Sequence, residues 1–271
     1  MTITDGELAI AAAEAGAAVV RSRYGTAVTR FQKSPLDFAT AADLEAEQVI
    51  VDLLRAARPA DAVIGEENGR TGTETADRTW LVDPLCGTLN FAARTPLVAV
   101  NVALRTGSDV TAAASVAPFS GEVFWTDGGQ AHLRRAGVDE VLSPSADSLL
   151  VDANLDPPFP NSSAFRAVQL LADPEFTARF RPRVVSTTLA VAWVAAGRRA
   201  AYLTDGQLHD SVHFASGIAL CQAAGCVVTG LRGQPLHTGV GGLLVAADQD
   251  THRTLLAAVE RQFASGTTTH P

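Results

Sequence analysis

Apolar residues in the first half of the chain follow two different spacings. An Ala-rich segment from Gly6 to Arg23 and a segment from Thr40 to Ala57 carry apolar residues at near-helical intervals, which predicts two helices. Three apolar runs, at residues 98–105, 110–118 and 121–126, are separated by turn residues and predict neighbouring strands. The first half is therefore predicted to be a sheet with two helices on one side.

After residue 148 the pattern changes, and predicted strands and helices alternate. The predicted strands lie at residues 149–153, 183–185, 200–203 and 243–246, and the predicted helices at 165–171, 189–196, 211–224 and 251–263. Segments rich in Gly and Thr at 68–78 and in Pro at 156–160 are predicted to be loops. Alternation indicates a βαβ-like arrangement. We predict an α/β (α+β) protein with an N-terminal half, 1–147, and a C-terminal half, 148–271.

The composition narrows the classes of function. Of 271 residues, 47% are apolar and 18% are charged, which is typical of a globular protein. The net charge of −8 has no basic stripe, so nucleic acid is not an expected partner. Three cysteines are too few for a disulfide framework. We find no secretory signal pattern and no apolar run of membrane-spanning length, so we expect a cytoplasmic protein without a membrane partner.

The candidate chemistry centres on residues 80–91, Trp-Leu-Val-Asp-Pro-Leu-Cys-Gly-Thr-Leu-Asn-Phe. A predicted strand ends at Asp83, because Pro84 lacks an N–H and fixes its own φ. Gly87 and Thr88 follow, and their amides can face an anion. A carboxylate before such a turn can hold a metal beside a phosphate. The same pattern also fits a plain Pro-Gly loop capped by an Asp.

Three other segments accompany this one. They are residues 37–43 (Asp-Phe-Ala-Thr-Ala-Ala-Asp), 63–69 (Val-Ile-Gly-Glu-Glu-Asn-Gly) and 212–217 (Val-His-Phe-Ala-Ser-Gly). In chain order, the four segments resemble the Thr-x-x-Asp, Gly-Glu-Glu, Asp-Pro-(Ile/Leu)-Asp-Gly-Thr-x-Asn-Phe and Trp-Asp-x-Ala-Ala-Gly signatures of the inositol monophosphatase family of metal-dependent phosphatases. The resemblance spans nearly the whole chain. It implies a five-layer αβαβα sandwich, a homodimer, and a small phosphorylated metabolite as substrate.

The resemblance also implies a first metal site, for Mg²⁺. Its ligands would be Glu66, which is also a catalytic residue, Asp83 and the backbone carbonyl of Leu85. These are the hard oxygen ligands that Mg²⁺ prefers. A metal held there would lower the pKa of a bound water for attack on phosphorus.

Other residues are assigned to the water, the phosphate and the substrate by the same resemblance. Thr88, paired with Asp43, would orient the attacking water, and the amides of Gly87 and Thr88 would bind the phosphate. Asp205 would bind substrate hydroxyls. Asp43 also suits a purely structural role, since a carboxylate near the start of a helix is favoured by the helix dipole.

The chain departs from the family pattern at the second metal site. Cys86 and His213 stand where the family has Asp, so the ligands of a second metal would be Asp83, Cys86 and His213. Cys and His favour Zn²⁺ or another transition metal over Mg²⁺. Alternatively the second site is lost, with Cys86 a small buried thiol and His213 a residue at a helix end. Asp210 either replaces the missing carboxylate or caps that helix.

Three functions stay open at this point. The leading prediction is a divergent phosphatase that hydrolyses the phosphate monoester of a small metabolite with an altered second metal site. The second is a lyase- or cyclase-type enzyme acting on a phosphorylated or diphosphorylated compound. The third is a degenerate phosphatase that serves as a binding or regulatory protein.

Overall fold

The computed structural model describes residues 3–27, 29–34, 37–155 and 167–266. The chain forms two compact units, the first of which comprises Met1–Val141, Thr187–Leu189 and Asp210–Ala223. The second unit comprises Leu142–Ser186, Ala190–His209 and Ala224–Pro271. The predicted division at residue 147 stays a prediction. The predicted loop at 156–160, and residues 165 and 166 of the predicted helix, lie outside the described residues.

In chain order the elements are α1 (Asp5–Arg23), β1 (Arg30–Ser34), β2 (Asp37–Thr40), α2 (Ala41–Ala57), β3 (Ala62–Gly65), β4 (Gly69–Thr71), β5 (Arg78–Cys86), α3 (Thr88–Ala92), β6 (Ala99–Thr106), β7 (Asp109–Ala117), β8 (Glu122–Thr126), β9 (Ala131–Arg135), β10 (Val138–Val141), β11 (Leu150–Ala153), α4 (Ala167–Leu170), α5 (Pro174–Arg179), β12 (Arg181–Val184), α6 (Leu189–Ala195), β13 (Ala201–Thr204), α7 (Ala215–Ala223), β14 (Val227–Thr229), β15 (Leu243–Ala246) and α8 (Gln249–Gly266). The mixed α/β class predicted from the sequence is confirmed. Among the described residues, no helix combines the length and the apolar character required to cross a membrane.

The first unit is built on an eight-stranded sheet of order β10-β9-β8-β7-β6-β5-β3-β4. Successive side chains of a strand point to opposite faces. Trp80 and Val82 of β5 therefore pack in the core that also contains residues of α1 and α2, as predicted. Leu81 faces the other side, where it packs with Ala215 and Ala219 of α7. This unit thus has helices on both faces of its sheet.

The pairing of β3 with β5 positions the candidate site. These two strands run parallel, with Gly65 opposite Val82. Glu66 follows Gly65 and Asp83 follows Val82. The backbone N–H of Glu66 donates to the Val82 carbonyl at 3.1 Å. Because β3 and β5 are parallel and in this register, the carboxylates of Glu66 and Asp83 lie close together at the same end of the sheet.

An ion-pair network ties the edge of this sheet to α1. Arg134 of β9 donates to Glu7 at 2.8 Å and to Asp139 at 2.9 Å. The hydrogen bond from Arg134 lowers the pKa of both carboxyl groups, and burial opposes the shift. Both carboxylates are therefore held in their charged form by folding.

The second unit contains a five-stranded sheet of order β12-β11-β13-β15-β14. Alternate residues of β11, β13 and β15 pack against Leu255 and Val259 of α8. Arg199 donates to the fully buried Asp152 at 2.8 Å and lies over the Trp193 ring, so it is a structural partner of Asp152 rather than an ordinary surface charge. Strands and helices alternate after residue 148 as predicted, except that α4 is followed by α5 and β14 by β15.

Three sequence-based assignments are wrong in detail. The strand predicted to end at Asp83 continues to Cys86, and its pairing with β6 is irregular between these two residues, on either side of Pro84. The predicted loop at 68–78 contains the strand β4, whose three residues pair with β3 and are too few to show a period. The helix predicted from Ser211 begins at Ala215, because residues 211–214 form a turn in which the N–H groups of Phe214 and Ala215 reach the Ser211 carbonyl. His213 therefore lies in a turn before the helix.

Candidate active site

Three side chains of the first unit form a cluster that could hold a metal ion. Single ligand atoms of Glu66, Asp83 and His213 all lie within 4.8 Å of one another. His213 Nδ1 is 2.8 Å from Asp83 Oδ2 and 3.9 Å from Glu66 Oε2. Asp83 is fully buried, whereas the His213 side chain is 40% exposed. The structure thus brings together three of the five predicted metal ligands through their side chains.

The electrostatics of this cluster favour a bound cation. Burial and the charge of Asp83 raise the pKa of Glu66, because two enclosed carboxylates repel each other. Burial opposes charge on His213, but the charge of Asp83 and its hydrogen bond outweigh this and raise the pKa to about 9. Two carboxylates and an imidazole are a donor set that fits a divalent ion. A metal that binds His213 must displace its proton.

Lys33 is a cation of the site that the sequence analysis did not identify. Its Nζ lies 3.0 Å from Glu66 Oε1 and 2.7 Å from Glu67 Oε1. Burial opposes the charge of Lys33, but Glu66 and Glu67 outweigh it and raise the lysine pKa. Lys33 is the only lysine of the chain, and this is the one feature of the sequence that could have drawn attention to it. Lys33 lies on β1, which pairs with β2.

The predicted pair of Thr88 and Asp43 is formed. Thr88 Oγ1 donates to Asp43 Oδ1 at 3.0 Å and is also 3.3 Å from the Leu85 carbonyl. The backbone N–H of Thr40 donates to Asp43 Oδ2 at 2.8 Å and completes a capping box at the start of α2. Burial raises the pKa of Asp43, and its hydrogen bonds oppose the shift. Asp43 therefore has two roles: one oxygen of its carboxylate caps α2, and the other accepts the hydrogen bond from Thr88.

The end of β5 and the Gly87 turn that follows it hold these groups in place. The N–H of Leu85 donates to Asp83 Oδ1 at 3.2 Å, which orients that carboxylate. Gly87 has a φ of +100°, a left-handed conformation that favours glycine, and it precedes the first residue of α3, Thr88. The assignment of the Gly87 and Thr88 amides to phosphate binding stays a prediction.

Cys86 does not belong to the cluster of Glu66, Asp83 and His213. Its Sγ accepts the backbone N–H of Thr188 at 3.3 Å. Burial and the charge of Asp83 raise the pKa of the thiol. The role of Cys86 as a metal ligand stays a prediction.

A buried polar network lies behind Asp83 and was not found from the sequence. Asn101 donates to Thr188 Oγ1 at 2.8 Å, and its Nδ2 is 3.5 Å from Asp83 Oδ2. Ser115 donates to Asn101 Oδ1 at 2.7 Å and shares a hydrogen bond of 2.8 Å with Ser216 of α7. These residues come from two strands, a helix and the segment just before α6, so no sequence motif joins them.

The two other candidate carboxylates have different positions. Asp210 pairs with Arg105 at 3.0 Å and has a φ of +55°, five residues before α7 begins, so neither proposed role for Asp210 is seen. Asp205 follows β13 in the second unit and is buried. Its contact with substrate stays a prediction.

Solved structures identify the class of fold. The extragenic suppressor protein SuhB from Bartonella henselae superposes with a TM-score of 0.83 at 25% identity, covering 94% of this chain and 98% of that chain. An inositol monophosphatase from Thermotoga maritima superposes with a TM-score of 0.78 at 20% identity, covering 94% of this chain and 98% of that chain. The fold is that of the inositol monophosphatases, as the sequence predicted.

The chain belongs to the inositol monophosphatase family. The profile of that family matches residues 4–263. An inositol-1-monophosphatase from Caulobacter vibrioides is 32% identical over 83% of this chain and 88% of the relative. The Nus factor SuhB from Salmonella typhimurium is 31% identical over 95% of this chain and 96% of the relative.

Proposed function

We propose that this protein is a metal-dependent phosphatase that hydrolyses the phosphate monoester of a small metabolite. The observation that carries the proposal is the segment at residues 83–88, which comprises the end of β5 and the start of α3. It places Asp83 in a cluster with Glu66 and His213, and it places Thr88 in a hydrogen bond with Asp43. The relatives named inositol-1-monophosphatase support the same reaction class.

The metal-binding part of the site consists of Glu66, Asp83 and the Leu85 carbonyl, with His213 as a further donor. A divalent cation bound there would supply charge neutralisation and activation of water. Hydrolysis needs little covalent chemistry from the protein, so positioning dominates. Asp83 is oriented by the N–H of Leu85, and Glu66 by the backbone bond to β5.

The pair of Thr88 and Asp43 is assigned to the attacking water. Because Thr88 donates its hydroxyl hydrogen to Asp43, its oxygen can accept a hydrogen bond from water. Attack of that water on phosphorus breaks the ester P–O bond and releases phosphate and an alcohol. Asp43 is fixed by Thr40 on its other oxygen, so the pair keeps its orientation.

The test is phosphate release from a panel of sugar and cyclitol phosphates, with the metal content of the protein measured in parallel. We expect slow release with Mg²⁺, because two family carboxylates are replaced by Cys86 and His213. Thr88→Val should abolish release while Mg²⁺ affinity stays unchanged. A wild-type protein that binds Mg²⁺ but releases no phosphate from any monoester would contradict the proposal.

The two replacements also favour a second candidate, non-hydrolytic loss of phosphate from a phosphorylated or diphosphorylated compound. Loss of a leaving group by C–O cleavage requires no attacking water and fewer metal ligands. Reaction in ¹⁸O-labelled water separates the two functions. Hydrolysis at phosphorus places one labelled oxygen in the released phosphate, and C–O cleavage places none.

A regulatory role and the oligomeric state are tested with the same protein. The relative named Nus factor SuhB makes a binding or regulatory function the alternative if neither reaction is found. We expect a homodimer, from the family. Light scattering that gives the monomer mass of 28.2 kDa at working concentrations would contradict that expectation.

A further inference from the structure

The side chain of Glu47, in the middle of α2, is fully buried and its carboxylate accepts three hydrogen bonds from one turn. Oε2 accepts the backbone N–H of Glu67 at 2.8 Å. Oε1 accepts the backbone N–H and the side-chain Nδ2 of Asn68, both at 2.8 Å. We propose that Glu47 is a positioning residue that fixes the turn carrying Glu66, and so sets the geometry of the cation cluster.

The turn held by Glu47 is the tip of a tight hairpin. Residues 66–68 connect β3 to β4, and Gly65 pairs with Gly69 across its base. On the other side, the Glu66 N–H is bound to the Val82 carbonyl at 3.1 Å. The backbone of Glu66 is thus held by β5, and the two amides that follow it are held by Glu47. Charge-assisted bonds from a carboxylate to backbone N–H groups are among the stronger hydrogen bonds of proteins.

Gly65 is explained by the same contact. A Cβ built on Gly65 would lie 2.4 Å from the Glu47 carboxyl carbon and 2.5 and 2.6 Å from its two oxygens. Glu47 cannot turn away without breaking three hydrogen bonds, so a side chain at position 65 displaces the carboxylate. The glycine of the Gly-Glu-Glu segment therefore provides the space in which Glu47 reaches the turn.

This inference rests on the proposed function only in so far as Glu66 is taken to bind a cation. Groups that orient a metal ligand change metal affinity by roughly 10–100-fold when they are replaced. Glu47 binds the backbone of Glu67, the residue after Glu66, and does not itself belong to the cluster of Glu66, Asp83 and His213. Its expected effect is therefore on the position of Glu66.

Two variants separate position from charge. Glu47→Gln keeps the length but has one carbonyl oxygen, so at least one amide of the turn loses its acceptor. Glu47→Asp keeps the charge but is one methylene shorter. Glu45→Gln is the matched control, since Glu45 lies on the same helix, has a side chain that is 43% exposed, and pairs with Arg23.

The first measurement is calorimetric titration of each folded protein with Mn²⁺ and Mg²⁺. We expect both Glu47 variants to bind roughly 10–100-fold more weakly than the wild type, and the control to bind as the wild type does. The second measurement is hydrogen exchange in metal-free buffer, in which the amides of Glu67 and Asn68 should exchange faster in both variants. Wild-type affinity in Glu47→Asp, or unchanged amide protection in both variants, would overturn the inference.

Gly65→Ala provides an independent test if a Glu47 variant does not fold. It should expose the same two amides to exchange and weaken metal binding, although Glu47 itself is intact. Unchanged protection in Gly65→Ala overturns the inference. If the wild type binds no cation, the proposed function fails, while the exchange of the Glu67 and Asn68 amides still decides the role of Glu47.

Discussion

Replacement of His213 by Asp tests the charge balance of the cluster. His213 Nδ1 is 2.8 Å from Asp83 Oδ2, and Asp83 is fully buried. Removing the partner of a buried charge costs about 3–5 kcal/mol, and solvent screening at a 40% exposed side chain reduces this to about 1–3 kcal/mol. The new carboxylate also repels Asp83 and Glu66. We therefore expect metal-free His213→Asp to be about 1–3 kcal/mol less stable than the wild type.

The assay is urea unfolding at neutral pH, first with a chelator and then with Mg²⁺. A ligand at about 100 times its Kd stabilises the folded state by about 2.7 kcal/mol. Because carboxylate is a harder ligand than imidazole, Mg²⁺ should stabilise the variant more than the wild type. His132→Asp is the control, since His132 is stacked on Trp125 and is not part of the cluster. Equal stability of the His213 variant and the wild type in chelator would refute the reasoning.

Three further predictions concern single groups. Asp83→Asn should remove measurable Mg²⁺ binding in calorimetry, and unchanged affinity would disprove the assignment of Asp83. The double change Cys86→Asp with His213→Asp should raise Mg²⁺-dependent phosphate release, and an equal rate in the native protein would show that the two replacements are harmless. Arg134→Gln should lower the urea midpoint at neutral pH. Arg134 lowers the pKa of Glu7 and Asp139, so the stability lost in the variant should be complete above the ordinary pKa values of these groups, 4.5 and 3.8. The loss of stability should disappear as the pH falls through the lowered pKa values of the folded protein. A loss that persists in acid would exclude the ion pairs as its cause.

The fold was predictable where the pattern is long. Helices α1 and α2 contain 19 and 17 residues, and their apolar positions show the helical period. The missed elements are short. Strand β14 has three residues and is defined by its pairing with β15, and α5 has six residues that begin at a proline after the cap Asp173. For such elements tertiary contacts outweigh local propensity.

The site was predictable where its residues lie in short motifs beside paired strands or at the start of a helix, because strand register and helix geometry then place their side chains. Glu66 and Asp83 are examples of the first kind, and Asp43 and Thr88 of the second. Lys33, Asn101 and Glu47 were missed, because each reaches the site across the fold. The hydrogen-bond partners of Lys33 are 33 and 34 residues away in the chain, those of Asn101 are 18 and 87 residues away, and those of Glu47 are 20 and 21 residues away. No spacing in the sequence encodes such contacts.

Formal charge leads to a last prediction, on the number of metal ions bound. Glu66 and Asp83 carry two negative charges, and His213 is neutral once a metal has displaced its proton. One divalent cation therefore balances the cluster. A second Mg²⁺ would add two positive charges beside the thiol of Cys86, which suits a hard cation poorly and lies outside the cluster.

We therefore expect one Mg²⁺ or Mn²⁺ per chain, measured by elemental analysis after gel filtration and by the stoichiometry of calorimetric titration. The same measurement with Zn²⁺ is the more sensitive test for a second site, since thiolate and imidazole are the usual ligands of Zn²⁺. Two bound Zn²⁺ per chain, with the second lost in Cys86→Ser, would show that Asp83, Cys86 and His213 form a second site after all. One Zn²⁺ per chain, with an unchanged count in Cys86→Ser, would show that the replacements have removed that site and left the chain with a single cation.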